Sequence, residues 1–103
     1  MPKSARPQKL AGAERQTALS GLEGWTLLAD RDAIQRRFTF KNFSAAFGWM
    51  TRAALAAERL DHHPEWLNVW NRVDVTLTTH SAGGLTVLDA EMARILDELF
   101  AGR

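Results

Sequence analysis

Glu58-Arg59-Leu60-Asp61-His62-His63-Pro64-Glu65-Trp66 is where the chain passes from one backbone period to another. Upstream of it Phe43, Phe47, Met50, Ala54 and Ala57 recur at intervals of three and four residues up to Leu60, the spacing of an apolar stripe on a helix. Asn42 or Ser44 can cap that helix, since a short polar side chain accepts from an unpaired amide of the first turn. Pro64 stops it. Proline pushes the residue before it out of the helical region, so His63 is expected to be extended while His62 lies near the helix end.

Downstream, Leu67 to Trp70 reads as a short strand and Arg72 to Thr79 as a longer one. Val73, Val75 and Leu77 share one face of the longer strand; Asp74, Thr76, Thr78 and His80 share the other parity. Ser81 to Gly84 turns the chain, and Thr86 to Phe100 reads as a final helix with Leu88, Met92, Ile95, Leu96 and Leu99 as its apolar stripe. On the amino-terminal side, Trp25 to Ala29 and Ala33 to Lys41 are rich in strand formers and are joined by Asp30-Arg31-Asp32, which predicts a hairpin. Ile34, Arg36, Phe38 and Phe40 alternate with Gln35, Arg37, Thr39 and Lys41, so one sheet face is wet. Before that, Arg6 to Leu19 is expected to be helical up to Ser20-Gly21.

Helix, two strands, helix, two strands, helix is an α+β order. In a small chain it is accommodated by a single two-layer domain, a four-stranded antiparallel sheet with three helices packed on one face. The 103 residues read as one domain spanning 1–103, with residues 1–5 as a flexible tail. A domain of this size buries only about two thirds of its unfolded surface, so self-association is an ordinary way to bury more.

Thirteen basic and twelve acidic side chains are mixed along the chain for a formal net charge of +1, which leaves no global electrostatic footprint for nucleic acid. Lys3, Arg6, Lys9 and Arg15 face only Glu14 near the amino terminus, and read as a solvated segment leading into a helix. There is no cysteine, hence no disulfide, thiolate nucleophile or thiolate metal site. The first residues lack the apolar run of a secretory signal, and no segment approaches the roughly 20 apolar residues of a membrane span. A soluble cytoplasmic protein without membrane association is the expectation.

The chemistry concentrates in the stretch quoted first. It holds two of the three histidines, His62 and His63, beside Glu58, Asp61 and Glu65; the third, His80, closes the longer strand. Histidine titrates near neutrality, and three with neighbouring carboxylates form a candidate proton-transfer set. A metal centre is not expected, because adjacent histidines followed by a distant third match no compact ligand spacing. No glycine-flanked serine elbow occurs, and Gly83-Gly84 is too little for a phosphate loop.

The same residues carry a family resemblance. Glu58, His62-His63-Pro64, Glu65-Trp66, Asn68-Val69, Thr79-His80 and Gly84-Leu85-Thr86 with Asp89 resemble the pterin-4a-carbinolamine dehydratases. Arg31-Asp32-Ala33-Ile34, Phe38, Phe40 and Ala46-Phe47-Gly48 with Met50-Thr51-Arg52 match upstream, while Trp70 stands where that family usually has tyrosine. The resemblance implies the same α+β architecture, with sheet edges and the central helix mediating assembly into homodimers and homotetramers. Trp49, outside the helix stripe, is then a candidate for helix contact between subunits.

What the resemblance implies chemically is dehydration of 4a-hydroxytetrahydrobiopterin, the product of an aromatic amino acid hydroxylase, without cofactor or metal. His62 and His80 are expected to exchange the protons, with His63 binding or holding its neighbour. The resemblance also implies substrate contacts from Thr78, Thr79, His80 and Ser81, and Asp61 is expected either to accept from the polar pterin edge or to cap local backbone. Glu58, four residues before His62, is expected to orient it if the helix persists, or to form an ordinary surface pair. Asp89 either orients His80 or sits in the first turn of the last helix, where negative charge is favoured. Trp66 either walls the pocket or fills the core. Two other functions stay open: a non-enzymatic interaction module, as animal relatives bind a homeodomain transcription factor as its dimerisation cofactor, and a pterin-binding protein of molybdopterin metabolism.

Overall fold

The computed structural model describes residues 6–103, so the tail expected over residues 1–5 lies outside the described residues. Helix α1 (Gly12–Leu19) is followed by strands β1 (Thr26–Leu27) and β2 (Ile34–Thr39), helix α2 (Phe43–Leu60), strands β3 (Glu65–Val69) and β4 (Arg72–Leu77), a 3-10 turn (His80–Ala82) and helix α3 (Val87–Ala101). The strands form one antiparallel sheet in the order β1-β2-β4-β3, which puts the hairpin-linked β3 on one edge and the long strands β2 and β4 at the centre. This is the α-β-β-α-β-β-α order and α+β class read from the sequence.

Alternation on the central strands makes the core. Ile34, Phe38, Val73, Val75 and Leu77 point into one buried cluster with Met92, Ala93 and Leu96 of α3 and the small face of α2. Arg36 has the inward parity yet is charged; its guanidinium lies over the Phe38 ring at 4.5 Å and bonds Asp97 at 2.6 Å, so its charge is paired while its stem packs. Asp97 also accepts from the Trp25 indole at 3.0 Å, tying the loop before β1 to α3.

Helix α2 is rotated relative to the stripe read from its large residues. Ala46, Trp49, Ala53, Ala56 and Ala57 are buried, whereas Phe43, Phe47 and Leu55 are exposed. Small alanines let the helix approach the sheet closely, and Trp49 packs there fully buried, its ring 4.5 Å from Phe38 and 5.4 Å from Phe40. The expectation that Trp49 meets another subunit is therefore corrected: it is a core residue of its own chain. Asn42, rather than Ser44, caps the helix, accepting from the Ala45 amide at 2.8 Å.

The first helix is also shorter than expected, starting at Gly12 rather than near Arg6. Pro7 disfavours helix at Arg6, and the Leu10 amide bonds the Leu85 carbonyl at 2.8 Å while its side chain is buried. That tertiary anchor holds the segment extended and lays Arg6 against the end of α2. Strand β3 begins at Glu65, two residues earlier than read, which places Glu65 opposite Thr76 and next to the turn carrying His80.

Candidate active site

The end of α2 builds the first part of the site. The Asp61 amide bonds back to Glu58 O at 3.2 Å and the His62 amide to Ala57 O at 3.1 Å, the pair of bonds of a Schellman turn, with Asp61 left-handed at φ 53°. The turn reverses the chain before Pro64 can continue the helix. It therefore sends His62 inward and His63 outward, as neither would be directed by a helix running on.

Each histidine then presents Nε2 to a carboxylate. His62, buried, lies 2.5 Å from Asp89 Oδ1. His63, exposed, lies 2.6 Å from Glu58 Oε1. His80, also exposed, lies 2.9 Å from Glu65 Oε2. Two partner assignments read from spacing are thereby corrected: Glu58 meets His63 instead of His62, because the Schellman turn breaks the helical i, i+4 relation, and Asp89 meets His62 instead of His80. Asp89 also fulfils its other reading. It sits in the first turn of α3, and its Oδ2 accepts from the Thr86 amide at 2.9 Å and from the Thr79 hydroxyl at 2.8 Å. A buried carboxylate with three partners is what burial of its charge demands.

Asp61, His62, His63, Thr78, Thr79, His80 and Ser81 all line one cavity of about 450 Å³, together with Arg6, Pro64 and Glu65. Every residue expected to contact substrate is thus in one place. Trp66 is not in that lining; it packs against the core, as its second reading had it. Glu58 and Asp89 stand behind His63 and His62.

Three residues of the neighbourhood were not singled out for it by the sequence reading. Arg6, read as part of a solvated segment, bonds the Asp61 carbonyl at 3.0 Å and its carboxylate at 3.3 Å. Arg31 forks onto Glu65 through two bonds of 2.8 and 2.7 Å. That guanidinium, with His80 second, holds the Glu65 carboxyl down at about 2, well below the usual range. Glu65 was visible beside His-His-Pro and Arg31 within Arg-Asp-Ala-Ile, but only a pairing across 34 residues joins them. Asp32 is likewise held below the usual range, chiefly by Arg15, and ties the hairpin loop to the Leu85 amide at 3.1 Å. Among the described residues no group of three or more histidine, aspartate or glutamate side chains could hold a metal ion. Among those residues, too, no helix is long and apolar enough to cross a membrane.

The fold and site together define a small α+β protein with a histidine–carboxylate pocket at the junction of its central helix and sheet. Comparison places it more closely: residues 8–99 match the model of the family described as pterin 4 alpha carbinolamine dehydratase, and the chain belongs to that family. A Burkholderia cenocepacia relative, provisionally named a pterin-4-alpha-carbinolamine dehydratase, is 58% identical over 89 residues, covering 86% of this chain and 87% of the relative. A Bradyrhizobium relative of the same provisional name is 54% identical over 94 residues, covering 91% and 95%. The crystal structure of a transcriptional coactivator/pterin dehydratase from Brucella melitensis superposes with a TM-score of 0.84 at 54% identity, covering 89% of this chain and 98% of that one. The family's activity is that of a hydro-lyase.

Proposed function

We propose that this chain dehydrates 4a-hydroxytetrahydrobiopterin to quinonoid dihydropterin and water, as a step of tetrahydrobiopterin recycling after an aromatic amino acid hydroxylase. The observation that carries the reading is the convergence of three carboxylate-paired histidines on one cavity. The reaction breaks the C4a–O bond, adds a proton to the departing hydroxyl so that it leaves as water, and removes a proton from a ring nitrogen as the C=N bond forms. Proton inventory is conserved, and no electron is gained or lost.

His62 and His80 carry these two transfers. With Nε2 of each engaged by a carboxylate, Nδ1 is the nitrogen left for substrate, and a neutral imidazole can accept there or, once protonated, donate. A positioned acid or base of this kind contributes about 10²- to 10⁴-fold. His63, with Glu58 behind it, binds and orients the heterocycle, while Asp61, Thr78, Thr79 and Ser81 supply polar contacts to its edge. Stopped-flow ultraviolet absorbance of freshly generated substrate tests the reading, with acceleration over the uncatalysed reaction as the expected result.

A second, compatible reading rests on different surfaces. Phe43, Phe47 and Leu55 on α2, and Leu67, Val69 and Trp70 at and beyond the β3 edge, are large apolar side chains exposed in the single chain. They support assembly into a homodimer or homotetramer, which the family likeness implies and which a small domain benefits from. The coactivator in the name of the Brucella protein motivates the non-enzymatic alternative, a protein-interaction role for such an assembly. A cytoplasmic place of action accompanies the recycling reading.

A further inference from the structure

Only two of the three carboxylates behind the histidines are explained by the site and its caps; Glu65 is held by a cation whose role is open. Arg31 comes from the β1–β2 loop and meets Glu65 edge-on, Nη1 to Oε1 at 2.8 Å and Nη2 to Oε2 at 2.7 Å. Glu65 Oε2 then reaches His80 Nε2 at 2.9 Å. The chain Arg31–Glu65–His80 joins the side chains of a hairpin loop, the first residue of β3 and the 3-10 turn after β4, three segments gathered at the end of β4.

We propose that Arg31 and Glu65 are positioning residues for His80: the fork keeps Glu65 ionised and fixed in plane, and Glu65 holds the His80 proton on Nε2 so that Nδ1 stays open as the acceptor. The physical need is specific to this histidine. His62 is buried and the backbone of His63 is restricted by the proline after it, whereas the His80 side chain is 76% exposed on a short 3-10 turn and has little packing to select its rotamer. A planar, two-point guanidinium–carboxylate pair supplies direction that packing does not. Glu65 cannot rotate away without breaking both arms of the fork, and its anionic form is the only one that accepts from Arg31 and His80 together.

Other charged groups border His80. Asp32 lies with it in an adjoining cleft, where Arg15 and Lys9 neutralise it; Arg6, Asp61, His62 and His63 line the histidine cavity with it, with Arg6 paired to Asp61. None of these is in hydrogen-bond contact with the His80 ring, whereas Glu65 is.

The assignment to catalysis rests on the dehydratase reading, so the test separates the two. Long-range ¹H–¹⁵N NMR of histidine rings, recorded on wild type, Glu65→Gln and Arg31→Lys, reads the His80 tautomer without any substrate. The expected result is a neutral wild-type ring protonated on Nε2. Glu65→Gln, whose amide can donate to the ring as well as accept from it, should mix the two tautomers. Arg31→Lys, which keeps the charge but not the fork, should mix the tautomers to a smaller extent. In turnover both variants should lower kcat about tenfold, with KM within about twofold. An unchanged His80 tautomer in folded Glu65→Gln overturns the proposal. Altered ring states in a protein without turnover would support the fork and overturn the dehydratase reading instead.

Discussion

His62 and Asp89 are 27 residues apart in sequence and 2.5 Å apart in space, and Asp89 is at once the partner of His62 and the reciprocal cap of α3. One carboxylate thus ties the pocket to the stability of the last helix. The consequence is that its charge and its hydrogen bonds can be separated by substitution.

Asp89→Ala leaves the Thr86 amide, the Thr79 hydroxyl and the His62 ring without their buried acceptor, so it should destabilise the fold by about 3–5 kcal/mol in urea unfolding. Asp89→Asn keeps one acceptor oxygen and should cost less stability, while lowering kcat about a hundredfold because the imidazolium loses its anion. Equal losses of stability in the two variants would show that charge alone matters there.

His63 and Glu58 pair on the surface, with side-chain exposures of 56% and 75%. His63→Ala is expected to raise KM more than it lowers kcat, and Glu58→Ala to change unfolding free energy by less than about 0.5 kcal/mol. Steady-state kinetics of the two variants, with chemical denaturation alongside, check both statements.

Glu65 ionises at about 2 in the folded chain, below its ordinary 4.5. A carboxyl whose folded value is depressed contributes stability that is fully present above the unfolded value and is lost as pH falls through the folded one. Thermal unfolding should therefore show a decline between about pH 4.5 and 2 that is smaller in Glu65→Gln. Because Glu65 is 41% exposed, solvent and salt screening should make the difference modest and reduce it further at high ionic strength.

Trp49 and Phe47 stand on opposite faces of α2 and should fail differently. Trp49→Ala opens a core cavity and should cost about 3–5 kcal/mol. Phe47→Glu should leave the subunit fold within about 0.5 kcal/mol of wild type but reduce the assembled mass in light scattering. A monomeric wild type would remove the assembly reading.

Sequence periodicity was enough for the element order, since alternation in β2 and β4 and the stop at Pro64 are local signals. It misjudged the phase of α2 because that helix is apolar on two sides: its large residues Phe43, Phe47 and Leu55 point outward, and the buried side is mostly alanine, which weighs little in a hydrophobic pattern. The pocket's members were readable from one dense motif and the strand end at His80. Their pairings were not, because a Schellman turn redirects His62 and His63, and because Asp89 and Glu65 reach their partners through tertiary contact. Arg6 was missed for the same reason, its place being set by burial of Leu10 and the Leu10–Leu85 backbone bond.

The most direct test is stopped-flow dehydration of freshly generated 4a-hydroxytetrahydrobiopterin by wild type and by a folded His62→Ala, His80→Ala double variant. The account predicts marked acceleration by wild type and a loss in the double variant of at least about a hundredfold, the scale of one positioned acid or base. Full turnover in the double variant would contradict it.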